Sequence, residues 1–338
     1  MKAAPVIAAL LGLAVMAALI AVFGAGAVLR SLVAIGWQGF VAICMIHLAL
    51  IAVMGIAWRG LVPRVPIWPF LWGRLMRDAG SEVLPLSPIG GCVLGARALT
   101  LAGISGSIAA ASTIVDLTLE FFAKLGYTAL GLVLLVGLRP GSEIALPLTV
   151  GLAAASLAAV AFVAAQHHSF RLFDRLAHFL GRGWAERVSA GTAALHAALM
   201  RTYQCKAGLW TGFFLHLACW IAGALEAWIA LTLAGAALPF KTVLVIESLL
   251  YAIRTVAFAI PNAVGVQEGA YVLIGASFGL APEMALALSL LKRARDLTIG
   301  LPALGVWQIV EGVRLWRGRS KIIGKTDQPA GLLDGGNS

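Results

Sequence analysis

Carboxylates and arginines stand in this chain where a hydrocarbon environment should exclude them. Asp116, Glu120, Glu226, Glu247, Arg254, Glu268, Arg293, Arg295 and Asp296 lie inside or against long apolar runs. An ionisable side chain at bilayer depth costs about 3 kcal/mol or more. Chains keep such groups by facing them into a polar cavity, by pairing them, or by using them on a charged ligand. Asp116 and Glu120 are four apart and share a helix face with Thr113. That stripe reads as a cavity wall or as a proton- or cation-coupling pair. Glu120 and Lys124 have the same spacing, so a structural ion pair is the competing reading.

A second group is Lys292, Arg293, Arg295 and Asp296, roughly 13–18 Å into the last apolar run at 1.5 Å per residue. Lys292 and Asp296 can pair at i,i+4. Arg293 and Arg295 then need other partners, and Glu268 is the best placed by sequence. The pair could form a structural network or bind an anion. Pro261-Asn262-Ala263-Val264-Gly265-Val266-Gln267-Glu268-Gly269 is the densest polar interruption of an apolar run. A helix starting near Gly265 would offer free N–H groups to an anionic headgroup. His47 and His216 read as histidines satisfied by helix neighbours. Cys44, Cys92, Cys205 and Cys219 form no CxxC pair and read as small apolar packing residues. No spacing suggests a metal site, a cofactor loop, or hydrolase or transferase chemistry, so the chain reads as non-enzymatic and cofactor-free.

The elements that must hold these residues are helical and membrane-spanning. Of 338 residues, 61% are hydrophobic and 12% charged, and the mean hydropathy is +0.94. The apolar runs are continuous and rich in Ala, Leu and Gly, which excludes the ten-residue alternation of a β-barrel. Six spans are expected: Val6–Val28, Ala34–Ala57, Ser112–Leu138, Ile144–Ala165, Ala207–Ala234 and Met284–Val310. The first is read as an uncleaved helix. Two further apolar regions, Val83–Ala111 and Thr242–Gly279, are broken by Pro and Gly.

Net charge is +10, and the positive residues cluster. One cluster is Arg59, Arg64, Arg74 and Arg77; a second runs from Arg171 to Lys206; a third runs from Arg314 to Lys325. The positive-inside rule puts all three in the cytoplasm. No basic soluble domain exists to bind nucleic acid. Only one count keeps all three clusters on one side: each broken region enters and leaves on the same face, as a re-entrant hairpin. The first then enters from the cytoplasm and the second from the opposite side, and both termini are cytoplasmic. An inverted repeat follows, with Arg77 before Pro85 and Gly90 in one half, and Arg254 before Pro261 and Gly265 in the other. Paired Pro/Gly-interrupted segments point to a transporter site near the midplane. The expected fold is therefore all-α: a polytopic helical membrane protein with six full spans, two Pro/Gly-broken re-entrant hairpins and an inverted repeat. Residues 1–325 form one integral membrane domain, with halves 31–165 and 207–312. A partly amphipathic interfacial segment, 166–206, links them, and 326–338 is a disordered tail.

Two stretches carry a family resemblance. One is Trp72-Gly73-Arg74-Leu75-Met76-Arg77-Asp78-Ala79-Gly80-Ser81-Glu82-Val83-Leu84-Pro85, continuing through Gly90-Gly91 to Gly95-Ala96-Arg97. The other is Ile260-Pro261-Asn262-Ala263-Val264-Gly265-Val266-Gln267-Glu268-Gly269-Ala270. Together they resemble the lysylphosphatidylglycerol synthase transmembrane-region, or flippase-like, family. More narrowly the chain is similar to its hopanoid-biosynthesis-associated, HpnL-like branch. The resemblance spans Trp37 to Trp316. Its usual Pro-Gly-Gly step is Pro261-Asn262-Ala263 here, a stiffer turn. The aminoacyl-transferase domain fused to some relatives has no counterpart in this sequence, so lysyl-lipid synthesis is not implied.

The resemblance implies movement of a lipid between leaflets of the bacterial inner membrane, with a hopanoid or hopanoid-linked lipid as cargo. The alternative is a non-transporting scaffold for lipid-biosynthesis enzymes, which would then be its partners. The expected substrate-binding residues are Arg77, Glu82, Pro85, Gly90, Gly91, Arg97, Asp116, Glu120, Arg254, Pro261, Asn262, Gly265, Glu268, Arg293, Arg295 and Asp296. Arg77, Glu82 and Arg97 would line a cytoplasmic half, and Arg254, Glu268, Arg293 and Arg295 an outer half.

Overall fold

A computed structural model describes residues 14, 17–22, 25–83, 87–143, 145–180, 182–257 and 260–326. Side chains at 27, 83, 87–89, 167–190, 256, 261 and 315–326 lie outside the description. Pro85, most of the expected first span and most of the tail also lie outside it. Among the described residues the chain is helical, without strands: α1 Ala25–Gly60, α2 Trp68–Val83, α3 Ser87–Leu101, α4 Gly106–Leu138, α5 Ala145–Leu180, α6 Arg182–Gln204, α7 Lys206–Leu233, α8 Phe240–Val256, α9 Val266–Ser277 and α10 Pro282–Thr326. A 3₁₀ turn, Pro261–Ala263, separates α8 from α9.

Four helices among the described residues are long and apolar enough to cross a membrane: Val28–Gly60, Gly106–Leu138, Ala145–Gln166 and Lys206–Leu233. They coincide with four of the expected spans. The expected last span lies within α10, whose charged residues set it apart. Their outer surfaces are apolar, with Trp37, Val133, Leu157 and Trp210 exposed, as lipid-facing helices require. The polytopic helical membrane architecture read from the sequence is the one observed.

Several boundaries differ. The loop expected near 29–33 is helical, and α1 instead kinks at Gly36, where φ is +66°. The fourth expected span and the start of the interfacial segment form one continuous helix, α5. α2, a stretch read as a basic loop, packs along α3 as the first arm of the first hairpin. Gly90, Gly91 and Gly95 do not break the chain; they lie within α3. Glycine gives the same signal for a break and for close packing, and here it is packing. A Cβ on Gly91 would fall 2.3 Å from the Arg77 carbonyl oxygen and 2.1 Å from Ser81 Oγ. α2 and α3 therefore touch backbone to backbone. Gly269, too, is helical, within α9.

The contacts between helices repeat. In the first half, long helix α1 packs on hairpin arm α2, α2 on α3, and α3 on long helix α4. In the second, α7 packs on α8, α8 on α9, and α9 on α10. The contacts between halves match as well: α4 meets α7 and α8, while α10 meets α1 and α2. α1 and α7 meet each other at the centre. Exchanging α1–α4 for α7–α10 thus reproduces every one of these contacts. The halves close on one another through small residues. A Cβ on Gly131 of α4 would overlap the Ser248 side chain of α8, 1.7 Å from its Oγ.

Candidate functional site

Arg74 and Arg77 project from the first hairpin arm, three apart and so on one face. The face meets α4, where Asp116 and Glu120 are again one turn apart. Arg77 donates to Asp116 Oδ2 at 2.5 Å and also pairs with Glu120. Arg74 donates to Glu120 at 2.8 Å and to Asp78 at 3.0 Å. Lys124 reaches Glu120 at 3.0 Å. Both arginines are buried, and Asp116 is 0% exposed. The charge count places them in a cytoplasmic loop, whereas they lie on the buried face of a helix. Their burial follows from these three acids, which remove the penalty of an uncompensated charge.

His216 of α7 closes the cluster, with Nε2 3.0 Å from Asp116 Oδ1. His47 of α1 sits 3.1 Å from Glu226 on α7. Both histidines thus bond acids on other helices, not neighbours along their own.

The second half mirrors this with the signs exchanged: acids on the hairpin, bases on the long helix. Lys292 of α10 donates to Glu247 of α8 at 2.6 Å, and Tyr271 donates to the other oxygen of Glu247 at 2.6 Å. Lys292 therefore does not take Asp296, the i,i+4 partner expected from spacing. Arg295 takes Asp296 at 2.6 Å and Glu226 of α7. Arg293 donates to Glu268 through Nε at 2.6 Å. Glu268, fully buried, also accepts from Ser289 Oγ at 2.9 Å and from the Gly265 backbone N–H at 2.7 Å. That last bond is half of a capping box, so Glu268 fixes the start of α9 as well as an ion pair.

The two breaks are joined. Glu82 and Arg254 both stand in the last turn of a first hairpin arm, α2 and α8, and they pair at 3.5 Å. Asn262 donates to the Glu82 backbone oxygen at 3.1 Å and accepts from Arg254 at 3.1 Å. Asn262 and Ala263 hold φ of +49° and +46°, a left-handed conformation that costs about 1–2 kcal/mol per non-glycine residue. A glycine at either position would carry no such strain.

Between these clusters lies a cavity of about 460 Å³, lined from both halves. That is within the range of about 300–1,000 Å³ typical of ligand pockets. Of the residues expected to bind substrate, Arg77, Glu82, Glu120, Arg254, Asn262, Arg295 and Asp296 line it. Asp116, Gly90, Gly91, Gly265, Glu268 and Arg293 do not; they lie behind the wall as partners or packing residues. Arg97 is apart from it, paired with Glu311 at 2.6 Å on the exposed side. The expected division into two half-sites is replaced by one shared space, because Glu82 and Arg254 meet.

The wall also includes His47, Arg74, Lys124, Trp220, Glu226, Glu247, Tyr251 and Lys292, which were not among the expected binding residues. Glu226 and Glu247 carried a usable signal as single acids in apolar runs. Trp220 and Tyr251 carried none: they meet edge to face, with ring centroids 4.2 Å apart, only because α7 packs on α8.

No curated protein and no solved structure matches the chain. A family model described as the lysylphosphatidylglycerol synthase TM region matches residues 8–303. Its reach takes in both hairpins, the charge clusters and the cavity between them, and the chain belongs to that family of membrane proteins.

Proposed function

We propose that this protein translocates an amphipathic lipid, a hopanoid or hopanoid-linked lipid, between the leaflets of the bacterial inner membrane. It acts as a transporter and not an enzyme, with both termini cytoplasmic and the two hairpins re-entrant from opposite faces in an inverted repeat. The observation that carries this reading is the cavity of about 460 Å³, lined by charged and apolar side chains, between helices with apolar outer surfaces. A flippase needs to shelter only the polar end of its cargo, since the bilayer already solvates the rest. The shared lining by both hairpin ends supports movement of one half against the other, as in repeat-built transporters. A scaffold for biosynthetic enzymes would need the charge network but no cavity.

The test is leaflet-resolved lipid transport by purified protein in liposomes. Protein-containing vesicles should exchange a hopanoid between leaflets faster than protein-free vesicles. Arg254→Ala, which removes the link between the two breaks, should change that rate at least tenfold while the protein stays monodisperse and helical. Exchange at the protein-free rate would remove the transport reading and leave the scaffold.

A further inference from the structure

The charges around the cavity cancel. Among the described residues its wall holds six cationic side chains, Arg74, Arg77, Lys124, Arg254, Lys292 and Arg295, and six carboxylates. Each cation has a carboxylate within 3.5 Å. The described lining therefore has no formal net charge when His47 is neutral. Just behind it, Asp116 and Glu268 outnumber the one further arginine, Arg293. An arginine pair free to take an anion, as the sequence suggested, is absent among the described residues.

From this balance we propose that the cavity recognises a net-neutral, polyhydroxylated headgroup, a polyol or a sugar, and discriminates against a phosphate-bearing anionic one. This inference rests on the transport reading and names the class of its cargo. A phosphodiester brings a negative charge into a space where every positive charge is already met. It would have to displace a carboxylate and leave that acid uncompensated in a low-dielectric site. A hydroxyl group is both donor and acceptor. It can bridge an arginine and its carboxylate without altering the charge balance.

The uncommitted groups on the wall fit the same class. Trp220 Nε1 and Glu82 Oε2 are buried and have no hydrogen-bond partner among the described residues. One is a donor and the other an acceptor, the pair a hydroxylated ligand uses. Trp220 and Tyr251 add an aromatic wall against which the C–H face of a sugar or polyol can pack. Glu82 also stands at the junction of the two breaks, so a headgroup held there touches both halves.

The test uses the full-length protein in liposomes and three labelled lipids with the same apolar body. Their headgroups are a glycosyl or polyol group, phosphoglycerol and phosphocholine. The glycosyl or polyol lipid should cross at least tenfold faster than the phosphoglycerol lipid. Glu82→Gln, which leaves one cation in excess, should narrow or invert that ratio. Equal or faster movement of the phosphoglycerol lipid by the parental protein overturns the headgroup assignment while leaving transport intact. If no lipid moves, the transport reading fails by itself, and binding still decides the headgroup. Octyl glucoside added to protein in a neutral detergent should then raise its unfolding temperature more than octyl phosphate does. The reverse order would refute the assignment.

Discussion

Glu268 and Arg293 offer a direct measure of how the buried charges hold the second hairpin against α10. The Glu268 side chain is 0% exposed and that of Arg293 13%. With about 4 Å between charge centres and an effective dielectric near 20, their attraction is about 4 kcal/mol. Removing one partner of a buried pair costs about 3–5 kcal/mol, because the other charge is left uncompensated. Glu268→Gln keeps one of the two acceptor oxygens, enough for the Gly265 N–H, while the Ser289 hydroxyl can turn to accept from the new amide, so the larger part of its loss is the charge term. Arg293→Met keeps most of the side-chain volume and leaves Glu268 without its cation. Each single variant should lose about 3 kcal/mol. The double variant has no stranded charge, and should lose about 3 rather than 6, a coupling near the upper end for contacting residues. At roughly 2 °C per kcal/mol for a chain of this size, that is about 6 °C for each variant, the double included. The assay is thermal unfolding of the purified protein in one detergent at one fixed scan rate. A double variant that unfolds about 12 °C below the parent, the sum of the two losses, would refute the reasoning.

Three further outcomes follow from packing and topology. Gly91→Ala places a Cβ 2.3 Å from a backbone oxygen of α2, and should lower stability by about 2–3 kcal/mol in the same unfolding assay. Gly131→Ala should destabilise to a similar degree through Ser248. Adding Ser248→Gly should recover at least half of that loss, since the clash is with the Ser248 side chain alone. In a Cys-free background, single cysteines at positions 139 and 187 should label from opposite faces of the membrane, and labelling from the same face would rule out the re-entrant count.

Much of the architecture was legible because the bilayer imposes it. Length and apolarity located α1, α4, α5 and α7 to within a few residues at most ends. The cost of an intramembrane charge marked Asp116, Glu120, Arg254, Glu268 and Arg295 as members of polar clusters. Partner identity was not legible. Spacing along one helix pointed Lys292 at Asp296, yet helix packing gives it Glu247, 45 residues away. Arg74 and Arg77 look like loop residues until α4 supplies their acids. Gly90 and Gly91 look like a break until α2 is laid against them. In each case the deciding contact joins separate helices, and periodicity within a helix carries no record of it.

The ion pairs also set a timetable for biogenesis. Arg77 meets Asp116 and Glu120 only after 39 and 43 more residues have been made. At about 5–20 residues per second, that is a wait of roughly 2–9 s with Arg77 unmatched, while Arg74 has Asp78 four residues on. Glu226 waits 69 residues for Arg295, and Glu82 waits 172 for Arg254. The first hairpin must therefore linger at a wet or protein-lined site until α4 emerges, since lipid would not accept its arginines alone. The first half can then neutralise itself early. The junction of the two breaks has the longest wait, and Lys292, Arg295 and Asp296 complete the wall later still, so the space between the halves exists only once most of the chain has left the ribosome.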